Sequence, residues 1–539
     1  EDSRRVSERP QLPLPRPSAP ASPNATAEHK LTDELIRSHC DSYNIILVTF
    51  VNAKRADYAY TWDAHVRGLG LKNYLIGAMD GSALRLLLAR KIPVFDMESG
   101  LTTADYGWGT KTFRQLGLRK CELIIRLLRA GADPILTDAD ALITRDPSPY
   151  IRRFLPEAQI LVTSDHLSST VNDDGLELPE KAYSAWNIGY FYLSHTTLPA
   201  MLHWQQMCAE HPTLWDQNLF KDVLKLGGLK FNDPTRPQLK RKRLFLGYNQ
   251  TVAIGILPVA TFCSGHTYFV QRMPQRRGVE PFSVHTTFQY SGAPGKTHRL
   301  REALLWHDEP AYYSPPNGVL VYVPMIMWQL VRPLGKMDVH AHFELVNGQL
   351  RQLRAAFLLA KRLKRVLVLP RLVCGLDRFW APHNGTIPGS QNALPVDPCP
   401  ADHVLDLEGL ARDQNISALL REYSFLDNPR VPAQVRTSIR SVPPPRSLDE
   451  SDLQPLRAFT SIAVLNLTSM PDLFSTLPPA QQKKEQEVMR LWTSMWCCST
   501  PLTKKSAGHI HYDMFFDMIP HIDKQRREWD RPWEPVMGP

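Results

Sequence analysis

The run Gly131-Ala-Asp-Pro134-Ile-Leu-Thr137-Asp138-Ala-Asp140 decides how the rest of the 539-residue chain is read. Gly131 ends a helix, since glycine takes the left-handed conformation that helix C-termini favour. Pro134-Ile-Leu-Thr137 is then a short apolar strand, with two aspartates at its end. Upstream, Cys121, Ile124, Ile125 and Leu128 recur at i, i+3, i+4 and i+7, the buried stripe of a helix running to Ala130. Further back, Asn44-Ile-Ile-Leu-Val-Thr-Phe50 is a continuous apolar run, as in a strand covered on both faces. Helices are expected at 58–69 and 83–90, and strands at 74–77 and 93–95. Beyond the aspartates, strands are expected at 160–163 and 188–193, with helices at 198–208 and 217–225. Strands alternating with helices predict an α/β fold with a doubly wound, mostly parallel sheet.

Outward from this core the organisation changes. Residues 1–40 read as an extended stem, with six prolines in the first 30 residues and few large apolar side chains. A catalytic domain is expected over 41–317, its part from 230 loop-rich and basic. A C-terminal α/β domain is expected over 318–539, with a helix at 348–362 and a strand at Val366-Leu-Val-Leu-Pro370. Residues 427–456, rich in proline, read as a loop or linker.

Composition narrows the function. Apolar residues make up 43% and charged residues 22%, which excludes disorder throughout and a small disulfide scaffold. The net charge of +9 is mild for this length, and the densest basic run, Lys240-Arg241-Lys242-Arg243, is short. No nucleic-acid partner is expected. The longest apolar stretch, 319–331, contains Pro324 and Gln329 and falls short of the roughly 20 residues that span a bilayer. The chain starts at Glu1. An upstream piece is therefore expected, whether a signal peptide, a membrane anchor or a transit peptide, with membrane attachment only through such an anchor. The eight cysteines form no Cys-x-x-Cys pair, and Asn-x-Ser/Thr sequons stand at Asn24, Asn249, Asn384, Asn415 and Asn466. Together they favour an oxidising, secretory compartment.

The aspartate pair carries the chemistry. In open α/β sheets, ligands bind beyond the carboxyl ends of the strands. Asp138 and Asp140, where a strand gives way to a loop, can converge on one hard divalent cation, which would neutralise a diphosphate leaving group. The plainer alternative is a carboxylate pair capping a turn. A phosphohydrolase working through an aspartyl-phosphate normally carries its aspartates on the first strand, and here three strands come first. Asp173-Asp174-Gly175 lies in a polar loop instead. Gly107-Trp-Gly109-Thr-Lys-Thr112 lacks the Gly-Lys-Ser/Thr ending of a phosphate loop, and reads as a loop near the nucleotide. His285 can complete a metal site and Lys296 can hold phosphate. Asn187 and Gly189 open an apolar strand. Asp216-Gln217 reads either as site residues or as a helix start.

Several separate blocks resemble one family. They are Val48-Thr-Phe50, Leu75-Ile-Gly-Ala-Met-Asp80, Leu101-Thr-Thr-Ala-Asp-Tyr-Gly-Trp-Gly109, Asp138-Ala-Asp140, Thr163-Ser-Asp-His166, Asn187-Ile-Gly189, Trp215-Asp-Gln-Asn218 and Val284-His-Thr-Thr-Phe-Gln-Tyr290. In the C-terminal region, Arg421-Glu-Tyr-Ser-Phe-Leu-Asp-Asn-Pro429, Trp496-Cys-Cys498 and Gly508-His-Ile-His-Tyr-Asp513 join them. The chain resembles glycosyltransferase family 77, in its plant and green-algal group of extensin arabinosyltransferases. The resemblance implies a GT-A fold, a UDP-sugar donor (UDP-L-arabinofuranose) and a divalent metal, Mn²⁺ ahead of Mg²⁺. It implies retaining transfer onto arabinosides of hydroxyproline-rich glycoproteins, in the Golgi lumen, by a type II membrane protein. By the same resemblance Asp138, Asp140 and His285 would hold metal. Thr49, Asn52, Asp138, Lys120 and Lys296 would face the donor nucleotide. Asp216 and Gln217 would lie under the transferred sugar, with Asn187 and Asp165 positioning donor or acceptor.

Leu345-Val-Asn-Gly-Gln-Leu-Arg-Gln352 and the following helix and strand resemble part of the O-fucosyltransferases, implying a GT-B-like half without a catalytic role of its own. Trp186, Trp215, Tyr312 and Tyr313 are candidates to line an acceptor groove. Cys497 and Cys498 are expected to reach separate partners, with Cys374 and Cys399 as candidates. Two other functions remain open: a glycan-binding scaffold that keeps the fold, and the metal-dependent phosphohydrolase.

Overall fold

The computed structural model describes residues 29–101, 111–331, 339–378, 385–412, 418–489 and 492, and four short strands between 495 and 531. Of the stem expected over 1–40, residues to 28 lie outside these, as do residues 102–110 of the glycine-rich block; the rest of the stem is not extended, since Asp33–Ser38 is a helix whose Ile36 is buried in the core.

The first sheet has eight strands: β1 (Ile45–Val51), β2 (Tyr74–Ala78), β3 (Val94–Asp96), β4 (Asp133–Thr137), β6 (Ile160–Ser164), β7 (Trp186–Leu193), β8 (Phe245–Gly247) and β9 (Val252–Ile256), with β5 (Ala141–Ile143) standing apart. Their spatial order is β3-β2-β1-β4-β7-β6-β9-β8. All seven residues of β1 are buried, as a strand covered on both faces requires. Alternate residues serve opposite layers. Ile45 and Leu47 pack with Trp62 and Val66 of α1 (Ala56–Gly68), on the side that also holds Leu87 of α2 (Gly81–Ala89). Ile46 and Val48 pack with Ile124 and Leu128 of α3 (Lys111–Arg129). That second layer also holds Trp204 of α4 (Leu198–Glu210) and Phe220 of α5 (Asp216–Leu224). The predicted stripe of Cys121, Ile124, Ile125 and Leu128 is buried throughout.

The fold class is the expected α/β, and the sheet is mixed. β1 runs parallel to β2 and β4, and β2 to β3. β7 runs antiparallel to both β4 and β6. Between β6 and β7 the chain makes only one helical turn, Pro179–Ala182. Without a longer crossover it returns alongside itself in the opposite sense. The stretch from 230 was expected to be loop-rich, yet it supplies β8 and β9. A turn with Tyr248, Asn249 and Gln250 all in the left-handed region joins them.

A small sheet, β10 (Phe262–Cys263), β11 (Ser283–His285) and β5, stands beside the first. A third has the order β16-β13-β12-β18-β17: β16 (Leu420–Arg421), β13 (Val366–Val368), β12 (Val319–Tyr322), β18 (Val464–Leu467) and β17 (Ile439–Val442). All four of its pairings are parallel. Leu350, Leu353 and Phe357 of the long helix Val339–Leu363 share a core with Leu320 and Leu367 of this sheet. The 427–456 stretch is therefore more than a linker, since it contains the edge strand β17 and the helix Glu450–Arg457. Its run Pro443-Pro444-Pro445 follows the edge strand, where a missing N–H breaks no ladder bond.

Cys374 and Cys399 are disulfide-bonded to each other, not to Cys497 and Cys498. The reason is local: β14 (Leu372–Cys374) and β15 (Val396–Cys399) pair antiparallel, bringing the two Cα atoms within 5.4 Å. The acceptor-groove candidates do not converge. Trp186 is core of the first sheet and Tyr313 is buried in a separate cluster, with Tyr312 packed against it. Among the sequons, Asn249 is exposed in its turn, whereas Asn466 is a β18 residue whose amide donates to Ser441. Among the described residues no helix is long and apolar enough to cross a membrane.

Candidate active site

The site forms where β4 ends. β4 lies between β1, its parallel neighbour, and β7, its antiparallel one, so the sheet changes direction there. Such reversals leave a crevice at the strand ends. The Asp138 backbone N–H donates to the Gly189 carbonyl at 2.8 Å, pinning the loop to β7. The chain then enters β5, which pairs with β11 so that Ala141 faces His285.

This pairing brings His285 to the carboxylates. Its Nε2 stands 3.6 Å from Asp140 Oδ1 and 3.8 Å from Asp138 Oδ2. Ligand atoms of Asp138, Asp140 and His285 all lie within 4.8 Å of one another. Two bonds of about 2.1 Å to one ion span His285 and either aspartate, and two carboxylate oxygens with an imidazole suit a hard to borderline divalent cation. The residues fit a metal.

Two lysines complete the cluster. Lys296 Nζ donates to Asp140 Oδ2 at 2.6 Å. Lys120 Nζ donates to Asp138 Oδ1 at 3.1 Å and to the Ile188 carbonyl at 2.7 Å. Thr286 adds a hydroxyl donor to Asp140 Oδ2 at 2.8 Å. Burial pushes the Asp140 carboxyl up, but Lys296 and His285 outweigh it and hold it well below the usual range. Burial likewise opposes the charged ring of His285, and Asp140 followed by Asp138 outweighs it, leaving a raised pKa.

A second set of polar groups lies along β7. Asn187 donates its amide to both oxygens of Asp165, at 3.1 and 3.0 Å, and accepts from Gly189 N at 2.8 Å. Gln217 accepts from Ile188 N at 3.1 Å. Burial raises the carboxyls of Asp165 and Asp216 despite Asn187 beside the one and Lys120 near the other. Gly189 leaves room for the imidazole, since a Cβ there would lie 2.1 Å from His285 Cε1.

Comparisons with known proteins identify the family. The nucleotide-diphospho-sugar transferase family model matches residues 69–300. Arabinosyltransferase XEG113 of Arabidopsis thaliana is 36% identical over an alignment of 539 positions, covering 93% of this chain and 81% of that protein. The chain belongs to glycosyltransferase family 77. It is an arabinosyltransferase-family enzyme with a GT-A-type domain. Beta-arabinofuranosyltransferase RAY1 of Arabidopsis thaliana is similar over a shorter stretch, 21% identical over 197 residues, 36% of this chain and 35% of that protein. Among solved structures, mouse xyloside xylosyltransferase 1 is 13% identical with a TM-score of 0.26, covering 45% of this chain and 98% of that one. The galactosyltransferase LgtC is 10% identical with a TM-score of 0.27, covering 47% and 89%. Neither bears on the site at that distance.

In this glycosyltransferase the structure brings together Asp138, Asp140, His285, Lys120 and Lys296, with Asn187, Asp165 and Gln217 along the adjoining strand. Asp216 meets the helix-start reading of its sequence context. It opens α5, accepting from Gln217 N at 2.9 Å, and its Cβ is 2.6 Å from where a Cβ on Gly117 would stand. Thr49 is buried within β1, and Asn52 lies just beyond that strand's end. Sequence reasoning missed Thr286 and Gly117. Thr286 sits in the quoted block beside His285, which was its only signal. Gly117 carried none, because its importance comes from α3 meeting the start of α5.

Proposed function

We propose that this enzyme moves L-arabinofuranose from UDP-arabinofuranose onto arabinosides of hydroxyproline-rich cell-wall glycoproteins, with retention of configuration, in the Golgi lumen. The observation that carries the reading is the convergence of Asp138, Asp140 and His285 with Lys120 and Lys296. Each lysine now neutralises one aspartate, Lys120 on Asp138 and Lys296 on Asp140. A divalent cation, Mn²⁺ by preference, supplies Lewis acidity toward the diphosphate when held by Asp138, Asp140 and His285. Lys120 and Lys296, beside those carboxylates, would hold phosphate oxygens as charge builds on the leaving group.

In the reaction the bond from the anomeric carbon to the diphosphate oxygen breaks, and a bond to the acceptor oxygen forms on the same face. The acceptor's proton passes to the departing diphosphate, and UDP leaves. Asp216 and Gln217 lie beneath the sugar as electrostatic support. Asn187 holds Asp165 for donor or acceptor, and Thr49 and Asn52 face the nucleotide. Catalysis belongs to residues 41–317 and an accessory role to 318–539. The disulfide Cys374–Cys399 supports a secretory compartment.

The test is UDP release from a panel of UDP-sugars with and without Mn²⁺. Metal-dependent release from UDP-arabinofuranose, abolished in Asp140→Asn, is the expected result. Full activity in Asp140→Asn overturns the metal reading. Binding of glycans without UDP release points to a scaffold, and phosphate release without sugar transfer to a phosphohydrolase.

A further inference from the structure

The helix that carries Lys296, α6 (Gly292–Glu302), is held from two sides. On one side Tyr58 of α1 donates to the Ala293 carbonyl at 3.1 Å and meets Thr297 Oγ1 at 3.2 Å. On the other side stand residues 401–407, which follow the disulfide hairpin of the C-terminal region. The Arg299 Nε donates to both carboxylate oxygens of Asp402 at 2.9 Å, and both side chains are fully buried. Asp402 Oδ2 also accepts from Tyr290 N at 2.7 Å, two residues before the helix. Ser291 Oγ accepts from Leu407 N at 3.1 Å, and Glu302 at the far end accepts from Ala401 N at 3.1 Å. Arg378 donates to the Asp402 carbonyl at 2.8 Å and stacks over the Tyr290 ring at 3.7 Å.

Two features give this contact a purpose beyond cohesion. A buried ion pair adds little stability over an apolar pair of like size, because desolvation consumes most of the attraction, and its best use is to fix a geometry. The segment it fixes is also strained. Phe288 and Ser291, between His285 and Lys296, have φ of 52° and 65°, a left-handed conformation that L residues hold only where their surroundings impose it.

We propose that Asp402 is a positioning residue for the donor diphosphate. Through Arg299 and the Tyr290 amide it sets the placement of α6, and so of Lys296, which makes residues 401–407 of the C-terminal region an integral part of the donor site. This rests on the reading that Lys296 holds the diphosphate.

The experiment is a double-mutant cycle on the full chain, measuring Mn²⁺-dependent UDP release from UDP-arabinofuranose, with thermal unfolding followed in parallel. Lys296→Ala lowers turnover by about a hundredfold, and Asp402→Asn lowers it by about tenfold or more. The double variant is no slower than Lys296→Ala within about twofold, because the losses pass through one group. If Asp402→Asn does not fold, Arg299→Met with Asp402→Leu replaces it and leaves no buried charge. Losses that multiply, or unchanged turnover in the Asp402 variants, overturn the positioning role. Unchanged turnover in Lys296→Ala overturns the assignment of Lys296 itself, and the positioning role with it.

Discussion

Replacing Gly189 by alanine tests the metal triad without touching any of its ligands. The added Cβ would stand 2.1 Å from His285 Cε1, 2.8 Å from its Nδ1 and 2.9 Å from Asn187 Oδ1. Carbon atoms pack no closer than about 3.5 Å without repulsion, so the ring or the strand must yield by about 1.4 Å. The strand is poorly placed to yield. Gly189 N is bonded to Asn187 Oδ1 at 2.8 Å, and its carbonyl accepts from Asp138 N at 2.8 Å. The imidazole therefore moves, and its distances of 3.6 and 3.8 Å to the two aspartates are lost. Displacing a supporting group of this kind typically weakens metal affinity by about 10–100-fold. An error of about 1 Å in a reacting assembly lowers turnover by about a hundredfold. Overpacking one methyl destabilises by about 1–3 kcal/mol, so the variant should still fold. The assay is UDP release titrated with Mn²⁺, beside a thermal melt. The expected result is a metal midpoint raised at least about tenfold in a folded protein. A wild-type midpoint and turnover would refute the placement of His285 over Gly189, and with it the triad.

Gly117→Ala reports on Asp216 in the same way. Alanine favours a helix over glycine by about 1 kcal/mol, yet its Cβ would stand 2.6 Å from Asp216 Cβ, so turnover should fall while the melting temperature changes little. Unchanged turnover would remove Asp216 from the site. His403 should make stability sensitive to acid. Burial, with help from Arg299 and Arg378, lowers its pKa to about 3, against the partial opposition of Asp377 and Asp402. The folded state keeps the ring neutral while the unfolded state charges it, so the stabilisation is complete above about pH 6.5 and is lost as pH falls toward 3. Melting temperatures across that range should fall less steeply in His403→Gln than in the unaltered protein. Parallel curves would contradict the assignment.

The first half of the sheet was legible because its strands are covered on both faces, which leaves continuous apolar runs such as 45–51. The aspartate pair was legible for the related reason that it interrupts such a run at a strand end. β8, only three residues long, and β9 were not, since a basic run and a left-handed turn surround them and resemble a loop. β17 was hidden because Arg440 and Ser441 separate Ile439 from Val442, so its four residues show neither an apolar run nor an alternation. Residue type alone did not separate His285 from the other histidines among the 18, and the family resemblance did. The roles of Gly117, Gly189 and Asp402 arise from contacts across the chain, which local spacing does not encode. The disulfide pairing was not legible because hairpin register decided it, and aromatic residue type said nothing about whether Trp186 and Tyr313 would face solvent or core.

The pairing of β5 with β11 has a consequence for how the enzyme comes into being. Ala141 lies opposite His285, so the triad closes a loop of more than a hundred residues that includes four strands of the main sheet. Contacts so distant along the chain form late, because their loop entropy must be met before they contribute. A nascent or truncated chain ending before β11 could assemble most of the first sheet and display both aspartates, yet it would lack the imidazole. The imidazole thus joins the two aspartates only once β11 has paired with β5.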